Sequence, residues 1–262
     1  MDITSLQNPR VKHIVKLRDD KKQRLQDDVM LVEGYDEIQL ALAAGHVPQT
    51  LLSSPELATR ALNKSAAETL TVSRAVFEKM SYRDNPDGWL AIFPILHRTF
   101  DSLESEGVLS SVPLIIIAEA IEKPGNLGAI LRTADAAHVD AVLICDPRVD
   151  LWNPNVVRAS RGAVFSVPVV ECDNVSALEW LKSREMCVLA ATPTADEVYS
   201  NVDLRQPVAI AVGTEDEGLT EFWLQNADLR VKIPMFGKIN SLNVSVSTAL
   251  ILYEAVRQRT EK

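Results

Sequence analysis

The sequence predicts an α/β protein with a mostly parallel sheet, preceded by a smaller α/β sandwich. From residue 114 onward, short apolar strands alternate with helical patterns, which is typical of a parallel sheet. The first of these strands, 114–118, is apolar at every position, as strands covered on both faces are. A polar, weakly patterned stretch over 98–111 is interpreted as a linker. The predicted domains are therefore 1–97 and 112–262.

The first 97 residues show strands and helices in alternation. A helix is expected to begin at Asn8 and to end before Asp27 and Asp28. Further helices are expected over 34–45, 55–63 and 75–80, the first of them ending at Gly45. The expected strands are 29–33, 51–52, 70–72 and 89–93. The pattern predicts a small sandwich, and no stretch within it resembles a catalytic site.

The second part contains three glycine-bearing polar loops, each following a predicted strand. They span 123–132, 213–218 and 236–245, and the last one leads into a C-terminal helix. Glycine removes side-chain bulk beside short polar residues, which favours a ligand held mainly by backbone groups. The first loop lacks the G-x-G-x-x-G spacing, and the second lacks the Lys-Ser/Thr of a phosphate loop. Both absences argue against NAD and ATP. The predicted elements of this part are strands 114–118, 141–145, 167–170, 187–191, 208–212 and 229–233, and helices 129–137, 153–160, 175–184 and 221–226.

Composition restricts the function further. The net charge is −9 and the pI is near 5.0, so the chain as a whole is not a basic nucleic-acid binder. Basic residues are concentrated in the first 24 positions, where either a solvated helix face or a phosphate-binding face would explain them. Three cysteines without a C-x-x-C pair and scattered histidines indicate no disulfide framework and no metal site. No apolar stretch reaches the roughly 18 residues of a membrane span, and the N-terminus is charged, so a cytoplasmic location is expected.

The three loops resemble the three motifs of the SpoU, or TrmH-like, branch of the SPOUT RNA methyltransferases. The first motif, N-x-G-x-x-x-R, is matched at Asn126, Gly128 and Arg132. The second, G-x-E-x-x-G, is matched by 213–218, and the third, S-L-N-V-S, by 241–245. The stretches NPRVKHIVKLRDDKKQR, LVEGYDEI and DNPDGWLAIF resemble the substrate-binding domain of the same family, which is similar to a ribosomal protein that binds kinked RNA.

The resemblance implies methylation of a ribose 2′-hydroxyl in structured RNA, with S-adenosylmethionine as cofactor. It also implies a homodimer and a cofactor held in a deep trefoil knot of the chain. Catalytic roles would fall on Asn126, Arg132, Glu215, Ser241 and Asn243. Arg132 is the family's candidate for activating the hydroxyl, but a guanidinium does not release its proton at neutral pH, which favours a phosphate-gripping role. The cofactor-binding residues implied are Ala191, Thr192, Gly213, Glu215, Gly218, Ile233, Ser241 and Leu242.

RNA contacts are expected from the N-terminal basic residues and from the segment VVRASRGAVF, where many family members have a small residue in place of Arg161. The expected RNA-binding residues are Arg10, Lys12, Lys16, Arg18, Lys22, Arg24, Arg158 and Arg161. The two-domain organisation favours ribosomal RNA over transfer RNA as substrate. Two alternatives stay open: a catalytically silent RNA-binding module of the same fold, and a small-molecule enzyme that acts without RNA.

Overall fold

The computed structural model describes residues 2–62 and 66–261, with Asp2 described by its backbone alone. These residues form two compact units. The first unit contains the described residues up to Leu96 together with Asp150–Ser166. The second contains His97–Val149 and the described residues from Val167 onward.

The first unit is built on a five-stranded mixed sheet. Its strand order is β1-β4-β3-β5-β2, in which β5 pairs antiparallel with β3 and with β2, and the other pairs are parallel. The core includes Leu17, Leu31, Phe77 and Leu90. The strands are β1 (Asp2–Ile3), β2 (Val29–Glu33), β3 (Thr50–Ser53), β4 (Glu68–Val72) and β5 (Trp89–Pro94), and the helices are α1 (Pro9–Asp19), α2 (Lys21–Asp27), α3 (Tyr35–Ala43) and α4 (Arg74–Met80).

Two predictions for this unit are wrong. The helix expected from Asn8 is two helices, because Asp20 is extended and its carboxylate caps the second one by accepting from Lys22 N at 2.8 Å. The helix expected over 55–63 is replaced by a turn at 55–57 and irregular backbone through residue 62; residue 63 lies outside the described residues. One reason is that the Arg60 carbonyl accepts from the Trp89 indole at 2.9 Å, which takes it from a helical partner.

The second unit is built on a seven-stranded sheet in which every pair is parallel, so the predicted α/β class with a mostly parallel sheet is confirmed. Its order is β10-β12-β9-β11-β6-β7-β8. The strands are β6 (Leu114–Glu119), β7 (Ala141–Cys145), β8 (Val169–Cys172), β9 (Cys187–Ala191), β10 (Glu197–Val198), β11 (Val208–Val212) and β12 (Leu229–Lys232). The helices are α5 (Phe100–Ser105), α6 (Pro124–Ala136), α8 (Asn174–Ser183), α9 (Glu221–Asn226) and α10 (Val244–Thr260).

Strand β6 lies where the strand order reverses. The chain leaves it towards β7 and β8 on one side and later returns to β11 and β9 on the other. In open parallel sheets, ligands bind beyond the carboxyl ends of the strands at such a switch point. The three motif-bearing stretches follow β6, β11 and β12, so they meet at this edge of the sheet.

Residues 150–166 pack within the first unit, although the sequence boundary at 112 assigned them to the second part. This segment contains α7 (Pro154–Ala159) and a 3-10 turn over Ala163–Phe165. Its first residue, Asp150, pairs with the buried Arg24, and Phe165 lies against Phe93 with ring centroids 5.9 Å apart. The functional assignment of 1–97 and 112–262 to substrate binding and catalysis stays a prediction.

The helices described in residues 2–62 and 66–261 include none that is long and apolar enough to cross a membrane.

Candidate active site

The carboxylate of Glu215 joins two other predicted catalytic residues, Asn126 and Asn243. Its Oε1 accepts from the Asn126 side-chain amide at 2.7 Å and from the Asn243 amide. Asn243 Nδ2 also donates to Asn126 Oδ1 at 3.1 Å. Asn126, Glu215 and Asn243 come from three separate stretches of sequence, and the fold of the second unit brings them together.

Asn126 owes its position to an early helix start. The stretch expected to be a loop up to residue 128 is already the first turn of α6, which begins at Pro124. Proline suits this position because its fixed φ is helical and its missing N–H would have no intrahelical partner. The side chain of Asn126 therefore projects from a rigid helix end just beyond β6.

Asn243 is the N-cap of α10. Its Oδ1 accepts from Ser245 N at 3.0 Å and from Ser245 Oγ at 2.6 Å. Capping uses the oxygen of the amide and leaves the Nδ2 donor for Glu215 and Asn126. One side chain thus begins a helix and contributes to the site.

Glu215 lies in a tight turn between Gly213 and Gly218. Thr214 N donates to Gly218 O at 3.0 Å, and Gly218 N returns a bond to Thr214 O at 3.1 Å. A Cβ on Gly213 would lie 2.1 Å from the Gly218 carbonyl oxygen, and Gly218 has a φ of +73°. Both glycines are therefore required for the turn to close on itself.

A buried carboxylate, Glu119, supports the end of this turn. Its side chain accepts from Thr220 N at 2.8 Å, from Thr220 Oγ1 at 2.6 Å and from Asn174 Nδ2 at 2.9 Å. Asn174 in turn accepts from the Trp223 indole at 2.7 Å. Glu119 is 1% exposed, and these bonds offset the cost of burying its oxygens. It fixes the start of α9 against the end of β6.

A cavity of about 560 Å³ lies beside this cluster, beyond the ends of β9, β11 and β12. Its volume lies within the usual range for small-molecule sites. Its walls combine apolar side chains, such as Leu224 and Met235, with backbone and short polar groups. All eight residues expected to bind the cofactor line it: Ala191, Thr192, Gly213, Glu215, Gly218, Ile233, Ser241 and Leu242. The lining also includes Thr194, Asn240 and Ser247, which the motifs did not single out as cofactor ligands.

Lys123 is a further member of the cluster that sequence reasoning missed. Its ammonium group pairs with Glu215 Oε2, the oxygen that the two amides leave free. Lys123 and the amide of Asn126 hold the pKa of Glu215 below its usual range, and Glu215 raises the pKa of Lys123. Glu215 is therefore an ionised acceptor with all its donors in place, and it is not poised to remove a proton at neutral pH. The signal available in the sequence was a basic residue three positions before Asn126.

Arg132 and Ser241 lie apart from the hydrogen-bonded cluster. Arg132 is exposed on α6, six residues beyond Asn126, and Ser241 is exposed at the cavity. Among the described residues, neither makes a hydrogen bond to Asn126, Glu215 or Asn243. The guanidinium of Arg132 is thus accessible to an anionic ligand.

The eight predicted RNA-binding residues all belong to the first unit. Lys12, Lys16, Lys22, Arg158 and Arg161 are exposed. Arg10 is exposed too, but like the partly buried Arg18 and the buried Arg24 it is engaged with protein groups, and Arg161 lies 4.0 Å from Asp36. Arg10 pairs with Glu68 at 2.7 Å, and Arg18 donates to the carbonyls of Lys79 and Ser81 and to Asp19.

The prediction for Arg24 is at odds with the structure. Its side chain is 3% exposed, pairs with Asp150, and donates to the Leu17 carbonyl at 2.5 Å. A guanidinium with its donors satisfied inside the protein does not reach an RNA phosphate. The helical pattern around Arg24 could not reveal this, because its partner Asp150 lies 126 residues away.

Within residues 2–62 and 66–261, no group of three or more His, Cys, Asp or Glu side chains is arranged to hold a metal ion. The described site instead offers amide donors, one carboxylate, one ammonium group and a mixed cavity. Such groups can position a neutral hydroxyl and a cationic small molecule and can stabilise developing charge.

Comparisons with known proteins agree with this geometry. The model of the SpoU rRNA Methylase family matches residues 113–253, and the MRM3-like substrate binding domain matches residues 8–91. The chain is similar to RlmP of Bacillus subtilis, a 23S rRNA (guanosine(2553)-2′-O)-methyltransferase, with 28% identity over 96% of this chain and 97% of the relative. An uncharacterised tRNA/rRNA methyltransferase of Synechocystis is 32% identical over 98% of this chain and 94% of that protein.

Solved structures give the same result over the full length. A crystal structure of an RNA 2′-O ribose methyltransferase is 43% identical, with a TM-score of 0.85 and full coverage of both chains. An AdoMet-bound rRNA methyltransferase from Sinorhizobium meliloti is 27% identical, with a TM-score of 0.87 over 100% of this chain and 99% of that one. Because the family model spans more than half of the sequence and its three motifs meet at one edge of the sheet, this chain belongs to the SpoU rRNA methylase family.

Proposed function

We propose that this protein transfers a methyl group from S-adenosylmethionine to a ribose 2′-hydroxyl of structured RNA, and that the RNA is ribosomal. As a SpoU-family member it is an RNA 2′-O-methyltransferase with S-adenosylmethionine as cofactor. The finer assignment to ribosomal RNA is supported by the names of its relatives, RlmP and the S. meliloti enzyme. The Synechocystis relative, named for both tRNA and rRNA, keeps transfer RNA as the alternative.

The observation on which the proposal rests is the Asn126–Glu215–Asn243 cluster beside the cavity. The cavity residues fit the cofactor, because Gly213 admits no side chain at the turn and the lining mixes apolar with short polar groups. When bound, S-adenosylmethionine supplies an electrophilic methyl group on a sulfonium. The turn 213–218 and Leu242 would hold it at the carboxyl ends of the strands.

The remaining roles are assigned to side chains that can meet the RNA. Asn126 orients the ribose through the amide N–H that Glu215 leaves free, and Asn243 positions Asn126, since its own amide is fully bonded to Glu215, Asn126 and Ser245. Arg132 holds the neighbouring phosphate and stabilises negative charge that develops on the ribose oxygen. Its guanidinium stays protonated at neutral pH and so does not act as the general base. The proton of the 2′-hydroxyl would pass to solvent water as the oxygen–methyl bond forms and the methyl–sulfur bond breaks. Ser241 contributes its hydroxyl at the cavity.

The protein is also proposed to act as a homodimer in the cytoplasm. Helix α10 presents exposed apolar side chains to solvent: Val246 is 46%, Leu250 38% and Tyr253 50% exposed. Together with Thr133 and Tyr199 they line a shallow depression. Contiguous exposed apolar surface of this kind is typical of protein interfaces. The trefoil knot implied by the family resemblance stays a prediction.

The test is a methyl-transfer assay with labelled S-adenosylmethionine and unmodified ribosomal or transfer RNA transcripts. We expect label as 2′-O-methyl ribose in ribosomal RNA with the wild type. In Arg132→Ala, kcat should fall about a hundredfold, as it does when an electrostatic stabiliser is removed, with cofactor affinity unchanged. Arg205→Ala is the matched control, because Arg205 is an exposed arginine that pairs only locally with Asp203.

Three results would contradict parts of the proposal. Label in transfer RNA alone would overturn the ribosomal assignment. Cofactor binding without transfer to any RNA would favour the silent module. Full activity in Arg132→Ala would remove Arg132 from the catalytic machinery.

A further inference from the structure

The loop Ser81–Arg83 of the first unit is held in place by a buried carboxylate. Glu33, at the end of β2, is 7% exposed. Its Oε1 accepts from Ser81 Oγ at 2.5 Å, and its Oε2 accepts from Tyr82 N at 2.7 Å. Burial raises the pKa of Glu33 above its usual range, and these bonds partly offset that effect. The loop backbone is therefore fixed without any help from the Tyr82 side chain.

The arginine that follows Tyr82, Arg83, is bonded to groups of its own unit. Arg83 Nη2 donates to the Glu33 carbonyl at 3.0 Å and pairs with Glu37 at 2.8 Å. Tyr82, between Ser81 and Arg83, is 44% exposed. A half-exposed tyrosine on a rigid loop loses little conformational freedom when a flat ligand stacks on it.

A cationic side chain accompanies the exposed ring. Arg158, in the last turn of α7, has its guanidinium carbon 5.7 Å from the centroid of the Tyr82 ring. Its Nη2 donates to the neutral Asn155 Oδ1 at 2.9 Å. Among the described residues, no carboxylate pairs with Arg158, so its charge is not compensated there. The pair thus combines an aromatic face with an unneutralised guanidinium.

A second tyrosine–arginine pair in the same unit, Tyr35 with Arg60, serves as an internal comparison. Arg60 lies 3.6 Å over the ring of Tyr35, at the start of α3. Asp36 accepts from Arg60 at 2.7 Å, so this arginine is neutralised and covers its ring. Tyr35 is accordingly less exposed than Tyr82. Of the two pairs, only Tyr82 with Arg158 leaves both an aromatic face and a charge for a ligand.

We propose that Tyr82 and Arg158 bind an unpaired nucleotide of the RNA substrate, with the base stacked on the Tyr82 ring and the adjacent phosphate paired with Arg158. The proposal rests on the proposed function in that the substrate is RNA. Aromatic side chains stack on bases that are free of a duplex, and Arg pairs with phosphate oxygens. The bases inside a duplex offer no free face, so the substrate presents a loop, bulge or single-stranded segment to this surface.

The test combines methylation kinetics with direct crosslinking. With the ribosomal RNA transcript, Tyr82→Ala should raise KM for RNA about tenfold, the loss expected for one base stack, with kcat and cofactor affinity unchanged. Tyr82→Phe keeps the ring and should behave as the wild type. Arg158→Ala should raise KM for RNA. It should also make KM less dependent on salt concentration, by the amount expected for the loss of about one phosphate contact. Arg74→Ala, an exposed arginine of the same unit paired with Glu78, is the control.

For the direct measurement, a single-stranded 4-thiouridine oligonucleotide is irradiated with the full-length protein, and a duplex of the same sequence is used in parallel. A crosslink at or beside Tyr82 from the single strand but not from the duplex is expected. Equal KM values for the wild type and Tyr82→Ala, or equal crosslinking of both oligonucleotides, would overturn the proposal while leaving the proposed function intact. Absence of methylation with the crosslink retained would instead overturn the proposed function. If the wild type neither methylates RNA nor crosslinks to either oligonucleotide, both fail.

Discussion

At the scale of single residues, the site depends on which donors bond to each carboxylate oxygen of Glu215. Oε1 takes two amide donors, and Oε2 takes Lys123. A carboxylate with a full set of charged and neutral donors stays ionised at lower pH than a free one. Glu215 therefore acts by holding Asn126 and Asn243 in position.

Replacing Lys123 by Met should move the acid limit of cofactor binding and methylation to higher pH. The pKa of Glu215 is lowered in the folded protein. The ionised carboxylate therefore holds Asn126 and Asn243 in position at neutral pH, and this positioning is lost as the pH falls through the lowered pKa. Without Lys123 the pKa of Glu215 rises towards its ordinary value, so cofactor binding and methylation are lost at a higher pH. Cofactor affinity measured by calorimetry between pH 7 and pH 4 reports the shift.

The control for this measurement is Arg148→Met, which removes the exposed neighbouring ion pair with Glu122. It should leave the pH profile unchanged. Superimposable profiles of Lys123→Met and the wild type would show that Lys123 does not hold Glu215.

The buried guanidinium of Arg24 leads to a prediction about stability. Arg24→Met should lower the free energy of unfolding by about 3–5 kcal/mol, since it leaves Asp150 as an uncompensated, largely buried charge. Urea unfolding followed by tryptophan fluorescence measures the change. Lys22→Met, an exposed position on the same helix, should change stability little. A stable Arg24→Met that binds RNA weakly would instead restore Arg24 to the RNA surface.

At the scale of elements, helix starts and tight turns at strand ends create the site. α6 and α10 each begin with a site residue in or next to the first turn, and the turn 213–218 presents Glu215 between them. Glu119 fixes the end of that turn through Thr220. Asn126 and Asn243 are therefore positioned by helix starts and Glu215 by a tight turn, whereas Ser241 lies in the irregular segment between β12 and α10.

Gly213→Ala should reduce cofactor affinity at least tenfold, because the new Cβ would lie 2.1 Å from the Gly218 carbonyl and the turn would have to open. A tenfold loss corresponds to about 1.4 kcal/mol of binding free energy. Gly237→Ala is the matched control, since its Cβ would meet nothing within 4 Å. Calorimetric titration of both variants with S-adenosylmethionine decides the matter, and unchanged affinity in Gly213→Ala would show that the turn does not contact the cofactor.

At the scale of the whole molecule, the apolar face of α10 is exposed in the single chain. Leu250→Glu combined with Tyr253→Glu should shift the protein from dimer to monomer, because two charges would have to be buried in the proposed interface. Sedimentation velocity measures the shift. Leu25→Glu, at an exposed leucine of the other unit, should leave the assembly unchanged. A wild type that sediments as a monomer would contradict the proposed homodimer.

Much of the second unit could be predicted from the sequence. The apolar strands β7, β9 and β11 have the bounds that their composition indicated, because fully buried strands are short, unbroken apolar segments. The three motifs follow strands that turn out to be parallel, so their meeting at one edge was also foreseeable. By contrast, the 55–63 stretch looked helical from its alanines, yet tertiary bonds such as that from Trp89 to the Arg60 carbonyl override this propensity.

The sequence by itself determined the fold class, the family motifs and the residue types available for the site, since these depend on local periodicity and spacing. Only the tertiary structure decided which charged side chains pair with another charge inside the protein and which are left to meet a ligand. Lys123 reaches Glu215 across 92 positions, and Arg24 is neutralised by Asp150 across 126. The pairing of a charged side chain depends on distances and burial that arise once the chain has folded, and no local pattern records them.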